Sequence, residues 1–597
     1  MKSMMSDNNA FSRRSFLTGA ATLGAVAAAT GLAGCAPTTM AETGGDAKAE
    51  DDGQAEAAVE HNPVETVECD VVVCGSGTGG MCAAVRAAEL GGAVVMLEKK
   101  NAVGGTSNFA ESMTGVGTKM QKELGVEIDV KEMFDAVFNY HHSAAVGPVL
   151  HSFIDNSGAT VDWLVDNGCH FLTVMTFFGR FYTCHLSGDA STGTSMLNGE
   201  AVIQPMLAHA EELGVDIRLE TPMTDLATEG DKVVGVYATN AKGEEILVKA
   251  RGVILATGGY ANNSELFEEF TLRSYDRLRV AGMDGRDGDG IIAARALGAS
   301  LHHPETLNPS GECVIDSGSW NDNLNQIFSW QQNLRVNEEG ERFWNEGNNQ
   351  EFAAHVNALY TQNASYSIID ADLLNTLATE TVFYSMPMYD VNIGSPLAGC
   401  MEAIDEGLSQ GLIVKADTIE ELAEKLELDP AALKATVDRY NAMCENGEDE
   451  DYGKAADYLF PVKTAPFYAA ATQPIIYATN GGIKVNKNLQ VMAGTHTIEG
   501  LYAIGNDAGA IYGADYDVQL MPGSCQAWAA TGGRMAAEHI LGSPGHPRTP
   551  GAARRTPPRR RATTERPACC GALVVIGSAF RARAVSRCFI ACFLTLS

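Results

Sequence analysis

The stretch from Cys69 to Lys100, CDVVVCGSGTGGMCAAVRAAELGGAVVMLEKK, restricts the fold more than any other part of the chain. An apolar run, Val71 to Cys74, meets Gly75, Gly77 and Gly80 in G-x-G-x-x-G spacing. A helical stretch, Met81 to Leu90, follows, and a second apolar strand, Ala93 to Leu97, ends in Glu98. A dinucleotide fold needs this order: one Gly for the tight turn, one for approach of the pyrophosphate, one for close helix–strand packing, and an acid for the adenosine ribose. The helix N-terminus adds amide N–H groups and a positive dipole end for the phosphates. A Gly-rich turn in an unrelated α/β protein would have the glycines without strand, helix, strand and acid in register. Gly75, Ser76, Gly77, Thr78, Gly79, Gly80, Glu98 and Lys99 are therefore expected in a dinucleotide cradle.

With 597 residues the chain exceeds one compact core, so two or more domains are expected. A net charge of −33 argues against nucleic acid and against an anionic membrane surface as partners. Residues 543–597 break the pattern, with ten Arg against one Glu and no helical period. They read either as a read-through or frame-shifted end or as a basic disordered tail, and in both cases stand outside the fold. Ten Cys precede that tail; none forms C-x-x-C or a C-x-x-C-H haem site, so buried thiols are expected and no metal site.

Ser12 to Leu17 (SRRSFL) carries a twin-arginine export pattern, followed by a small-residue apolar run to Gly34. Leu32-Ala33-Gly34-Cys35 resembles a lipoprotein cleavage box that would place a lipid on Cys35. An uncleaved membrane anchor is the other reading of that run. Residues 1–35 are thus expected to be a signal and 36–66 a tether without periodicity, the folded part beginning near Val67.

Along the folded part, Gly104, Gly105, Thr106 and Ser107 form a second small-residue loop near the nucleotide, and Val130 to Leu164 looks largely helical. Leu197 to Leu213 is amphipathic, Asp216 to Leu219 opens a meander, and Val233 to Asn240 with Glu245 to Lys249 alternates as a hairpin. Val253 to Gly259 (VILATGG) is a buried strand running into a Gly pair, returning the chain to the nucleotide sheet at Ala256, Thr257 and Gly258. DGRDGDG, Asp284 to Gly290, lacks the length and Glu of a calcium loop and reads as a tight turn near the nucleotide, with Asp289 facing it. From Leu301 to Pro474 the composition shifts toward Asn, Gln, Trp and Tyr, marking a second domain. The chain returns through NGGI at Asn480 and GLYAIGN at Gly500, bringing Asn506 and Asp507, and ends in a helix from Ser524 to Leu541.

Together GSGTGG (Gly75), GGTS (Gly104), LATGGYANN (Leu255), GDGI (Gly288), GERFWNE (Gly340), NGGI (Asn480) and GLYAIGN (Gly500) resemble the FAD-dependent fumarate reductase/succinate dehydrogenase flavoprotein family, which includes urocanate reductase and 3-ketosteroid Δ1-dehydrogenase. The likeness covers nearly all of residues 67–542. It implies an α/β fold: a Rossmann-like FAD-binding domain in two parts, 67–300 and 475–542, with an inserted α+β capping domain at 301–474 over the flavin. By the same likeness the N-terminus of the last helix, at Ser524, faces the flavin and favours negative charge on its reduced form.

The substrate positions depart from the family's dicarboxylate set. Its His-Pro-Thr reads Asn308-Pro309-Ser310, its proton-donating Arg falls on Gln350, a His falls near Ala478, and its last Arg becomes Tyr516. Loss of paired cations from a desolvated site removes several kcal/mol of binding, so fumarate is not expected as substrate. Tyr516, Gln350, Asn308 and His185 are the catalytic candidates; a phenol such as Tyr516 can donate to an enolate oxygen or simply pack on the flavin rim. His302, His303 and His355 are further candidates, Arg342 reads as a brace of the cap, and Phe177 to Tyr182 as an aromatic pocket or core. The expected activity is reduction of an activated C=C bond of an enone or enoate by hydride from FAD. Electrons would come from a separate donor such as a cytochrome or a quinol-linked redox protein. The alternatives are ketosteroid-dehydrogenase-like oxidation beside a ketone, and a non-catalytic electron-transfer or ligand-binding subunit.

Overall fold

The computed structural model describes residues 60–176, 179–188, 199–385, 391 and 393–542. The export pattern, Cys35, Phe177, Phe178 and the basic tail lie outside the described residues.

A ten-stranded sheet holds the nucleotide motif. Its parallel centre runs Asp216–Arg218, Val94–Leu97, Val71–Cys74, Gly252–Leu255 and His496–Ala503, with Val71 opposite both Val94 and Gly252. Val71–Cys74 and Gly252–Leu255 are buried along their whole length, which is why they read as unbroken apolar runs and not as alternation. Asp216–Arg218 is an edge strand parallel to Val94–Leu97, not the start of a meander; the antiparallel part begins at Met223–Glu229, which pairs with Lys232–Thr239. Lys232–Thr239 in turn pairs with Glu245–Lys249 as the hairpin pattern anticipates. The chain joins this sheet at Glu65–Glu68, parallel to Glu245–Lys249, a strand that straddles the expected end of the tether at residue 66, and His61 stacks on Tyr237 with ring centroids 3.5 Å apart.

Helix Thr78–Glu89 packs against the last helix, Ser524–Gly542. The two backbones approach so closely that a Cβ on Gly533 would lie 2.2 Å from the Gly79 carbonyl oxygen, and only small residues permit that crossing. Gln526 donates to the Thr78 hydroxyl, tying the two helix N-termini together.

The inserted region is built on a six-stranded sheet around one long strand, Phe467–Thr479. Leu307–Val314, Ser365–Ile369 and Ile413–Ala416 pair with it antiparallel, and Arg279–Val280 pairs parallel from outside the 301–474 segment. Helices Ile419–Lys425 and Pro430–Asn446 cover one face; Thr418 caps the first by accepting the Glu421 N–H, and Asp429 with Pro430 starts the second. Fully buried charges brace this region. Arg335 bonds Glu312, while Arg342 reaches Glu346 at 2.7 Å and Asp449 at 2.9 Å. Burial alone would raise Glu312, but the Arg335 guanidinium overrides it and holds the carboxyl at about 2.

Among the described residues no helix is long and apolar enough to cross a membrane, and no group of three His, Cys, Asp or Glu is placed to hold a metal ion. The nine described cysteines are free thiols.

Candidate active site

The C-terminal ends of the central strands open into a cleft lined by Gly75, Ser76, Gly77, Glu98, Lys99, Gly104, Gly105, Thr106, Ser107, Ala256, Thr257, Gly258, Asp289 and Asn506. Backbone geometry makes it. Gly75 has φ +109° and a Cβ there would lie 2.1 Å from the Ala256 carbonyl oxygen; a Cβ on Gly80 would lie 1.9 Å from the Gly75 carbonyl oxygen. Helix Thr78–Glu89 starts at Gly77 with no side-chain cap from that residue; its first amide, Thr78 N–H, donates to Ser107 Oγ, so an anion would draw on the amides that follow. Buried Glu98 accepts from Ser76 N–H (3.1 Å), Ser76 O–H (2.5 Å) and Lys100 N–H (2.8 Å), while Gly104 N–H donates to Ser76 Oγ (3.1 Å). One carboxylate thereby fixes the first turn, the second strand's end and the GGTS loop. Lys99 pairs with Asp287 (2.9 Å) and Asp289 (2.6 Å), folding the DGRDGDG turn over the cleft.

Several residues expected in the cradle act from behind it. Gly79 and Gly80 serve packing, Thr78 N–H donates to Ser107 Oγ at 3.1 Å, and Ser524 bonds the Tyr512 hydroxyl at 2.8 Å. Asp507 is buried outside the cleft lining and accepts from Thr257 N–H and O–H and from Gly259 N–H. Burial pushes its carboxyl up to about 6 against those donors. Arg286, which sequence reasoning passed over as part of a turn, lines the cleft and donates to the Tyr477 and Ala281 carbonyls and to Asn262. Burial lowers it to about 10.

A second cavity adjoins the first and shares Thr106, Ser107 and Asn506 with it. Asn308, Ala478 and Tyr516, three of the four positions where the family's cations are replaced, meet on its wall. Phe109, Phe352, Tyr477, Val518 and Pro522 make it aromatic and apolar, and no Lys, Arg or His occurs among its described lining residues. Burial, with Cys525 nearby, raises the Tyr516 phenol well above its usual value, so it is a neutral donor at physiological pH. Cys525 Sγ lies 3.1 Å from Asn506 Oδ1 and 3.3 Å from Asn480 Oδ1, and burial raises its thiol to about 11.

Two catalytic candidates lie elsewhere. Gln350 follows the turn Glu346–Asn348 and is not part of the cavity wall, where its neighbour Phe352 stands instead. His185 is fully buried on strand Cys184–Ser187, held by Thr118 Oγ1 (2.8 Å) and the Thr183 carbonyl (2.9 Å); burial lowers its pKa, and it is a structural histidine. His302 bonds the Ala144 carbonyl, His303 bonds Glu305, and His355 stacks on Trp344 beside Glu312; none is in either lining. Of the proposed aromatic stretch, Phe181 is core and Tyr182 is exposed. Sequence reasoning also missed Glu111, the one carboxylic acid among the second cavity's described lining residues. No motif marks it; an acid inside the run Asn108 to Met113 was the only signal.

The model of the FAD-binding domain family matches residues 70–517. The chain is 32% identical to the vinyl phenol reductase of Lactiplantibacillus plantarum over 79% of its own length and 96% of that protein's. It is 28% identical to the digoxin reductase of Eggerthella lenta over 84% and 92%. The open conformation of a flavocytochrome c3 fumarate reductase superposes with a TM-score of 0.62 over 80% of this chain and 79% of that one, at 24% identity, and shows the shared fold. The uncapped helix start, the glycine turn and the ribose-side acid fit FAD, and the electron-relay alternative gives way to an enzyme. The chain belongs to the FAD-binding-domain flavoprotein family and is an FAD-dependent oxidoreductase acting on CH–CH bonds.

Proposed function

We propose that this enzyme reduces an electron-poor or conjugated C=C bond in a neutral, aromatic-sized substrate, such as a vinylphenol or an enone, and not a dicarboxylate. The observation carrying this reading is the second cavity. It adjoins the FAD cleft and offers aromatic walls, a neutral phenol and no described cation where a dicarboxylate would need at least two. The vinyl phenol reductase and digoxin reductase, both named for other substrates than dicarboxylates, support it.

Bound and reduced, FAD would supply the hydride. Gly75 to Gly77 and Glu98 would hold its phosphates and ribose, with Thr106, Ser107 and Asn506 forming the wall between cofactor and substrate. Tyr516 would donate a hydrogen bond to a substrate oxygen, polarising a conjugated bond, and the aromatic lining would exclude water. The test is anaerobic reduction of the purified flavoprotein, then separate addition of 4-vinylphenol, a 3-keto-4-ene steroid, cinnamate, urocanate and fumarate. Reoxidation by a neutral alkene and not by fumarate is expected; fast reoxidation by fumarate alone would overturn the reading.

We further propose export through the twin-arginine pattern at Arg13 and Arg14, lipid attachment at Cys35, and a separate electron donor of cytochrome or quinol-linked type. Fractionation of cells carrying wild type and the R13K/R14K double variant tests the first. An unchanged envelope fraction in the variant would reject it.

A further inference from the structure

The second cavity contains one residue that its hydroxyls and aromatics do not explain. Glu111 lies just before strand Ser112–Thr114 and lines the cavity with Asn308, Tyr477 and Tyr516. Glu111 is half-buried; its Oε1 is buried and has no hydrogen-bond partner among the described residues. A buried ionised carboxylate without a cation or donor is costly, and a native fold keeps such a group only in its protonated form or for use. The titratable groups that share its cavity are Tyr477, Tyr516 and Cys525, with Cys184 on the adjoining strand, all neutral in their ordinary forms near pH 7.

We propose that Glu111 is the proton-exchange residue of this cavity, its carboxylic acid delivering the proton that completes reduction of the substrate's C=C bond; this rests on the reductase reading above. The hydride supplied by reduced FAD brings two electrons and forms a C–H bond at one alkene carbon. The Glu111 O–H bond breaks and its proton forms the second C–H bond at the other carbon as the π bond is lost. The resulting carboxylate regains a proton from water after product leaves. Tyr516 is assigned the hydrogen bond to the substrate oxygen, and Glu111 the proton. Glu111, pushed up to about 8 by burial, carries the proton at neutral pH and can still release it.

The experiment uses the FAD-loaded full chain and its E111Q and E111D variants. In E111Q, FAD content and the oxidised flavin spectrum should match wild type, while reoxidation by the best alkene of the panel falls about 10²-fold or more. Wild-type reoxidation should decline above an apparent pKa near 8. That limb should vanish in E111Q and survive, at reduced rate, in E111D. Infrared difference spectra should show a protonated carboxyl band in wild type that titrates over the same range and is missing in E111Q. An E111Q variant with full FAD, a rate within threefold of wild type and the same pH limb would overturn the proposal. A wild type that no alkene reoxidises would overturn the reductase reading and this proposal with it. An active wild type beside a flavin-replete, inactive E111Q supports both.

Discussion

The FAD cleft and the substrate cavity share Thr106, Ser107 and Asn506, yet they are made in different ways. The cleft is shaped by backbone: a glycine turn at φ +109°, an uncapped helix and one carboxylate tying three loops. The cavity is shaped by side chains from distant segments, Glu111, Asn308, Phe352, Ala478 and Tyr516. Backbone requirements tolerate few residue types, so the cleft is fixed in composition. Side-chain walls can change while the fold stands, so the cavity is where a family changes substrate.

The comparison can be broken most severely at Gly80. Gly80→Ala places a methyl carbon 1.9 Å from the Gly75 carbonyl oxygen, and the expected result is protein without bound FAD, read from its visible absorbance. A flavin-replete G80A would show that the turn can yield. Next in size, Arg342→Ala leaves Glu346 and Asp449 buried without their shared cation; a loss of about 3–5 kcal/mol in denaturant unfolding is expected, with little change in the flavin spectrum. Tyr516→Phe should keep FAD and lower kcat/KM for oxygen-bearing alkenes by about 10²-fold, a loss that steady-state kinetics would read; an unchanged value would reduce Tyr516 to packing.

A smaller effect concerns acid. Glu312 is held at about 2 when folded, below the ordinary value near 4.3, so its contribution is fully present above that ordinary value and is lost as pH falls through about 2. Unfolding free energy measured from pH 5 to pH 2 should decline accordingly, and Glu312→Gln should flatten that part of the decline while lowering stability at pH 7. The smallest effect is expected from Gln350→Ala, less than about twofold in kcat/KM, because the side chain is not part of the cavity wall.

Most of the nucleotide sheet was legible because its strands are buried on both faces and its glycines answer to steric rules that act over a few residues. Asn308, Ala478 and Tyr516 were legible only through family position, and the fold brings all three to one wall. Gln350 fails by the same method, since counting along the chain does not report which way a turn faces. His185 was misleading because a buried imidazole satisfied by Thr118 and Thr183 has the same one-letter code as a reactive one. Glu111 was invisible for the opposite reason: what distinguishes it is an unpaired carboxyl oxygen on an apolar cavity wall, which belongs to the assembled cavity and not to its neighbours in sequence.

The pairing of Thr78–Glu89 with Ser524–Gly542 has a consequence for synthesis. The helix that opens the cradle is among the first of the described elements to leave the ribosome, and the helix against which it must seat is the last of them. Until Ser524–Gly542 has emerged, the Gly79 face has Ile504 but lacks Ala529 and Gly533, and strand Gly252–Leu255 lacks its neighbour His496–Ala503 for much of that time. A chain halted before Ser524 would carry every glycine of the motif and every residue of the cleft lining, and the helix that presents that motif would still lack its packing partner.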